Sequence, residues 1–217
     1  MPWFYYVGGF LIRIAFFFLT QRRVTGQENV PAQGSLLIVS NHLNLTDPAL
    51  LDSSIGRKMV FMAKEELFRS RFSGYFIRSY GAFPVNRERL RKGTLKEAER
   101  WLAKGIALVI FPEGQRSQNA RLQPAFAGPT LIASRTGAPI LPVGISGTEN
   151  IKGATWWLRR PSITVNIGQP FNLPPASGKL TRADLAQLTN SIMEHIAELL
   201  PPQYRGNYAG VTSKYED

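Results

Sequence analysis

Leu36-Leu37-Ile38-Val39-Ser40-Asn41-His42-Leu43-Asn44-Leu45-Thr46-Asp47-Pro48 is the stretch that decides how this chain folds. Its four leading apolar residues read as a buried strand. Pro48-Ala49-Leu50-Leu51 reads as the start of a helix, because proline is tolerated at the first helical position. Between them lie a histidine and, five residues on, a carboxylate. Histidine is the side chain best suited to accept a proton near neutral pH, and a carboxylate can hold its tautomer and stabilise the imidazolium. On a straight helix, positions i and i+5 stand about 140° apart. The chain must therefore fold back between His42 and Asp47, and Asn44 and Thr46 are turn formers that allow it. The same residues also suit a plain helix start, with Asp47 as N-cap and His42 a packed residue.

Two further segments have this form. Gly105-Ile-Ala-Leu-Val-Ile-Phe111 is an apolar strand that runs into Pro112-Glu113-Gly114-Gln115-Arg116-Ser117. Gly81-Ala-Phe-Pro-Val-Asn86 is a shorter strand that ends at Arg87. Polar residues just past the carboxyl ends of buried strands are where open α/β sheets place ligands.

These blocks resemble the glycerolipid acyltransferase family, specifically the lysophosphatidate acyltransferases. Asn41-His42-Leu-Asn-Leu-Thr-Asp47 is similar to their N-H-x-x-x-x-D. Gly81 to Arg87 is similar to G-x-[FI]-x-[VI]-x-R, and Phe111 to Ser117 to F-P-E-G-T-R-S. Ile140-Leu-Pro-Val-Gly-Ile145 resembles a fourth, apolar Pro-containing strand. The order is the family's, over about residues 24–170. Gln115 departs where Thr is usual, and Ala127 departs where a Lys is common.

The resemblance implies a catalytic pair, His42 as base and Asp47 as its orienter, supported by Asn41 and Ser117. It implies Arg87, Glu113, Gly114 and Arg116 as the grip on a phosphorylated glycerol acceptor. The arginine fork suits phosphate oxygens, and Glu113 would position the glycerol or the Arg pair. Backbone N–H groups near Asp47 or at Gly114 would hold the oxyanion. The implied reaction moves a fatty acyl group from acyl-CoA or an acidic acyl carrier protein to the free hydroxyl of 1-acylglycerol 3-phosphate, making phosphatidic acid. A relative acting on another lysolipid or on glycerol 3-phosphate is the alternative within the family. A non-catalytic basic protein bound to membrane or nucleic acid is the alternative outside it.

Composition narrows the chemistry. The chain has 217 residues, the size of one ordinary domain. It has no Cys, which excludes disulfides, thiolate metal sites and an acyl-cysteine intermediate. Two His and no Cys leave no zinc constellation. There is no P-loop, dinucleotide fingerprint or G-x-S-x-G elbow. Acyl transfer is thus expected to be direct, with no metal and no tightly bound cofactor. The net charge of +11 calls for an anionic partner. No basic segment is regularly interleaved with aromatics, so nucleic acid is not expected.

Residues 3–20 are nearly all apolar and rich in Phe and Tyr, with one charge at Arg13. As a helix they would run about 27 Å, close to a bilayer core of ~30 Å. Mid-bilayer Arg13 would cost roughly 2.5 kcal/mol or more, which an interfacial helix avoids. Arg22-Arg23 then favours a cytoplasmic side for the domain after it.

The expected organisation is therefore a membrane-associating helical segment over 1–22, an α/β domain over 23–203 and a loose polar tail over 204–217. The fold is expected to be a mostly parallel mixed sheet flanked by helices. Strands are expected near 58–63, 139–145 and 162–167, and helices at 91–104 and 129–136. The clearest helix runs from Thr181 to Leu200, with Thr181 as N-cap and a stripe of Leu185, Leu188, Ile192, Ile196 and Leu199. His195, beside that stripe, is expected to pack rather than react.

Overall fold

The computed structural model describes residues 14, 16–70, 74, 75, 77, 78, 81–85, 92–174 and 180–211. Among these, seven strands form one sheet: β1 (Gln21–Thr25), β2 (Leu36–Ser40), β3 (Met59–Lys64), β4 (Ala82–Val85), β5 (Ala107–Ile110), β6 (Ile140–Ser146) and β7 (Ser162–Ile167). Their spatial order is β1-β7-β6-β2-β5-β3-β4. Every neighbouring pair is parallel except β6 with β7. This is the expected mostly parallel mixed sheet, and β2 lies at its centre.

Alternation along β2 sorts the core into two layers. Leu37 and Val39 point to one face, where they meet α2 (Lys92–Ala103), α3 (Gly128–Thr136) and α4 (Arg182–Ala197) through Ala98, Ile132 and Ile192. Leu36 and Ile38 point to the other, where Leu50, Leu51 and Ile55 of α1 (Asp47–Ile55) cover them. A strand buried on both sides must be apolar at every position, which is why this run shows no alternation in sequence. Thr181 caps α4 as expected and forms a reciprocal capping box with Asp184.

Crossover handedness then fixes where a ligand can bind. The chain leaves β2 through α1 on one face and travels toward β3. It leaves β5 through α3 on the opposite face and travels the other way, to β6. Right-handed connections in opposite directions require opposite faces. A crevice therefore opens beyond the carboxyl ends of β2 and β5, the topological switch point of the sheet.

Two expectations change here. The helical segment expected over 1–22 stops short of its expected end, because residues 21–25 are extended. They form edge strand β1, paired with β7 from Gln21↔Ser162 to Thr25↔Asn166, so the boundary at 22 falls inside a strand. Residues 204–211 are not a loose tail. Tyr204, Tyr208 and Val211 pack on the core, and Arg205 is buried with its guanidinium on the carbonyls of Leu200 and Val211. Gly206 adopts φ 51°, and a Cβ there would sit 2.3 Å from the Leu122 carbonyl oxygen. The helix expected over residues 3–20 lies mostly outside the described residues, although residues 14 and 16–19 are helical. No described helix is long and apolar enough to cross a membrane.

Candidate active site

Register places the two loops of the crevice level with each other. Val39 pairs with Ile110, and three residues further on each strand come His42 and Glu113. Beyond Ser40, the Asn41 side chain takes over the ladder. Its Nδ2 donates to the Ile145 carbonyl and its Oδ1 accepts from the Ile145 N–H, both at 2.8 Å. Asn41 is thus a buried clip between β2 and β6.

The chain then folds back as its turn formers require. The Asn44 Oδ1 accepts from the Thr46 N–H at 3.1 Å, and the Asp47 N–H closes on the Asn44 carbonyl at 3.2 Å. Helix α1 begins at Asp47 with Thr46, not Asp47, in the N-cap position. Asp47 instead reaches backward. Its Oδ2 lies 2.8 Å from His42 Nδ1 and accepts from the N–H groups of Leu43 and Asn44, each at 2.7 Å. Asp47 is fully buried, whereas the His42 side chain keeps 13% of its surface exposed. With Nδ1 on the carboxylate, the proton is on Nδ1 and Nε2 is left as the basic nitrogen. The ring stacks on Phe111, centroids 4.1 Å apart and planes 19° from parallel.

The second loop grips the first through the backbone of His42. Glu113 Oε1 accepts from the His42 N–H at 3.0 Å, and the Ser117 N–H donates to the His42 carbonyl at 2.7 Å. Glu113 Oε2 accepts from the Gln123 N–H at 2.9 Å. Both carboxylate oxygens are spent on backbone, and the residue is buried. Burial pushes its carboxyl up to about 7, against the pull of its two backbone hydrogen bonds, and the Asp47 charge pushes the same way. Glu113 thus holds the backbone of His42 and of Gln123 in place. Ser117 Oγ takes the Arg121 N–H at 3.0 Å and holds the loop's return.

Gly114 has φ 68°, a left-handed conformation that glycine adopts without strain. Its N–H donates to the Phe111 carbonyl at 3.0 Å, closing the turn. The N–H groups of Leu43, Asn44 and Asp47 are likewise occupied. These four N–H groups have acceptors within the chain. Arg116 is exposed, two residues past Gly114 on the loop that follows β5. Arg87 lies outside the described residues. In the sequence Phe111 is only a motif position, and its stacking on His42 has no signal there. Gln123 carries no sequence signal either. Among the described residues no His, Asp and Glu cluster as a metal site.

Comparison with known proteins agrees with this architecture. The Acyltransferase family model matches residues 21–146. The chain is 28% identical over 178 residues to a 1-acyl-sn-glycerol-3-phosphate acyltransferase of Bacillus subtilis (strain 168), spanning 82% of this chain and 87% of that one. It is 31% identical over 153 residues to the chloroplastic 1-acyl-sn-glycerol-3-phosphate acyltransferase BAT2 of Brassica napus, spanning 68% of this chain and 44% of that one. The crystal structure of the 1-acyl-sn-glycerophosphate (LPA) acyltransferase PlsC from Thermotoga maritima shares the fold, with a TM-score of 0.62 and 24% identity. That match covers 87% of this chain and 83% of that one. This chain belongs to the Acyltransferase family and is an acyltransferase.

Proposed function

We propose that the chain transfers a fatty acyl group from an acyl thioester to the free hydroxyl of 1-acylglycerol 3-phosphate at a membrane surface. The observation that carries the reading is the His42–Asp47 pair at the switch-point crevice, 2.8 Å apart with the carboxylate buried. The names of the similar acyltransferases support the acceptor.

His42 Nε2 takes the proton from the acceptor hydroxyl. The oxygen attacks the thioester carbonyl, the carbon–sulfur bond breaks, and the thiolate leaves with the proton from Nε2. Asp47 keeps Nδ1 protonated and offsets the charge that the ring gains. Asn41 and Ser117 fix the two loops, and Glu113 fixes the His42 backbone. Arg116 and Arg87 bind the acceptor phosphate as charge-assisted forks. Gly114 shapes the turn that aims Arg116. The transfer proposed uses these side chains alone, with acyl-CoA or an acyl carrier protein as co-substrate. The membrane surface supplies the acceptor, with the catalytic domain on the cytoplasmic side.

The test is turnover of labelled acyl-CoA and acylated carrier protein against separate acceptors: 1-acylglycerol 3-phosphate, other lysophospholipids and glycerol 3-phosphate. The expected result is preference for the first acceptor, lost in His42→Ala. Equal or greater turnover of another acceptor would reassign the substrate.

A further inference from the structure

Among the described residues, several exposed large apolar side chains lie at the end of the sheet that holds His42. Leu45 sits in the His42–Asp47 turn itself and is 72% exposed. Phe126 is half exposed and is tied there by its N–H to the Pro112 carbonyl at 2.9 Å. Trp157 and Leu158, 47% and 63% exposed, lie on the connection from β6 to β7. That connection is at the same end, because Ser146 at the close of β6 pairs with Thr164 near the start of antiparallel β7. Asn44 Nδ2 fastens its entrance by donating to the Ile151 carbonyl at 3.2 Å.

Its exit meets the chain's N-terminal part. The Gln21 N–H donates to the Pro161 carbonyl at 3.0 Å. Exposed Phe17 and Phe18 stand just before Gln21. Two segments far apart in sequence thus meet at Gln21 and Pro161, and each carries exposed aromatic side chains.

Charge completes the pattern. Residues 151–161 contain Lys152, Arg159 and Arg160 and no acidic residue. The Arg159 guanidinium folds back on the Lys152 carbonyl at 2.8 Å and ties the two ends of the loop together. Tryptophan and leucine between basic residues suit the headgroup boundary of a bilayer, where the ring sits among carbonyls and the cations meet anionic lipid. In water the same apolar patch has no compensating contact.

We propose that the β6–β7 connection, through Trp157, Leu158, Arg159 and Arg160, is a membrane-docking loop that sets the His42 crevice facing an anionic bilayer. It acts beside the N-terminal residues, and holds the crevice mouth at the depth where a lysolipid hydroxyl lies. The inference gains its purpose from the lysolipid acceptor, but its geometry is independent of it.

The chain has no Cys, so a single introduced thiol reports one place. Full-length protein carrying Leu158→Cys with an environment-sensitive fluorophore is mixed with phosphatidylcholine vesicles, with and without phosphatidylglycerol. Gln33→Cys, on the loop before β2 at the opposite end, is the control. The label at 158 should shift to the blue and be quenched by nitroxide-bearing lipid, and the label at 33 should not. Trp157→Ser with Leu158→Ser should bind phosphatidylglycerol vesicles at least about tenfold more weakly, on the scale of removing two apolar anchors. Turnover of vesicle-embedded acceptor should fall with it, while turnover of a short-chain, monomeric acceptor stays unchanged. A solvent-like label at 158 on protein-bearing vesicles overturns the proposal. So does undiminished vesicle binding by the double variant, including the case where only turnover with acyl carrier protein suffers, which would give the surface to that acidic donor. No turnover by the parent on either acceptor sinks the acceptor assignment, and the labels still decide the docking.

Discussion

The two histidines of this chain are built almost alike, and only one stands in a place to do chemistry. His42 stacks on Phe111 at 4.1 Å, and His195 stacks on Phe171 at 4.0 Å. His42 Nδ1 lies 2.8 Å from an oxygen, and His195 Nδ1 lies 2.7 Å from another. Each ring therefore carries its proton on Nδ1. The difference is the oxygen. For His42 it is a buried carboxylate, Asp47; for His195 it is the backbone carbonyl of Ser191, one helical turn back. A neutral carbonyl fixes the tautomer but does little for an imidazolium, whereas a carboxylate does both. Location adds to this, since His42 follows the carboxyl end of β2 at the switch point and His195 lies within α4.

The comparison breaks first at His42. Replacing it with Ala should lower kcat by roughly 10² to 10⁴ or more, the usual worth of a general base, with the far-UV circular dichroism unchanged. Near-normal turnover in folded protein would remove the mechanism. Asp47→Asn is the sharper probe. The amide oxygen can still accept from Leu43 and Asn44, so the turn survives while the charge is lost. We expect kcat to drop about 10²-fold or more, because a neutral oxygen holds the tautomer but leaves the imidazolium unsupported. A loss below threefold would mean that a neutral acceptor suffices, and that His42 differs from His195 by position alone.

Arg116→Ala is next in size. It should weaken acceptor binding by about 1.5–3 kcal/mol, the scale of a hydrogen bond to a charged group, seen as a raised KM with the phosphorylated acceptor. An acceptor without phosphate should show little change. Equal loss on both would make Arg116 structural.

Much of this site was legible in the sequence, because its parts are local. The β2 run, the turn formers and Asp47 lie within a dozen residues, so residue type and spacing were enough. The same holds for α4, whose cap and stripe lie within one segment. What could not be read depends on distant partners. β1 is polar because it is an edge strand paired only with β7, so Gln21-Arg22-Arg23 carries no apolar signal. Residues 204–211 resemble a tail because they are polar and glycine-bearing. Their order comes from packing on the core and from the Leu122 N–H on the Tyr204 carbonyl at 2.8 Å. The contact of Glu113 with the His42 backbone has no sequence signal either, since only the folded register brings the two together.

Glu113 gives the next prediction. Gln would offer one oxygen and one NH2 where two backbone N–H groups need acceptors, so the His42 loop should loosen and kcat fall about tenfold. The parent also carries a pH signature. With its carboxyl raised from 4.5 to about 7, native protein binds more protons than unfolded protein between those values. This contribution to stability is fully present below pH 4.5 and is lost as pH rises through 7, on the order of 3 kcal/mol in all. Denaturant midpoints taken across that window should decline in the parent and flatten in Glu113→Gln. Identical slopes would show that the group is not titrating there.

The smallest effect belongs to His195. His195→Phe keeps a ring to stack on Phe171 and removes the Nδ1–H bond to the Ser191 carbonyl. That carbonyl still receives the α4 backbone N–H, so no buried acceptor is stranded, and the cost should be about 0.5–1.5 kcal/mol. In a chain of this length that is a Tm lower by roughly 2–5 °C. Turnover and its pH profile should match the parent within about twofold, because no proton passes through α4. The measurement pairs naturally with Asp47→Asn, which leaves His42 with a neutral oxygen much as His195 has now. If His195→Phe slowed kcat tenfold at an unchanged melting temperature, the second histidine would have a part in the reaction, and the carboxylate would no longer be what separates the two.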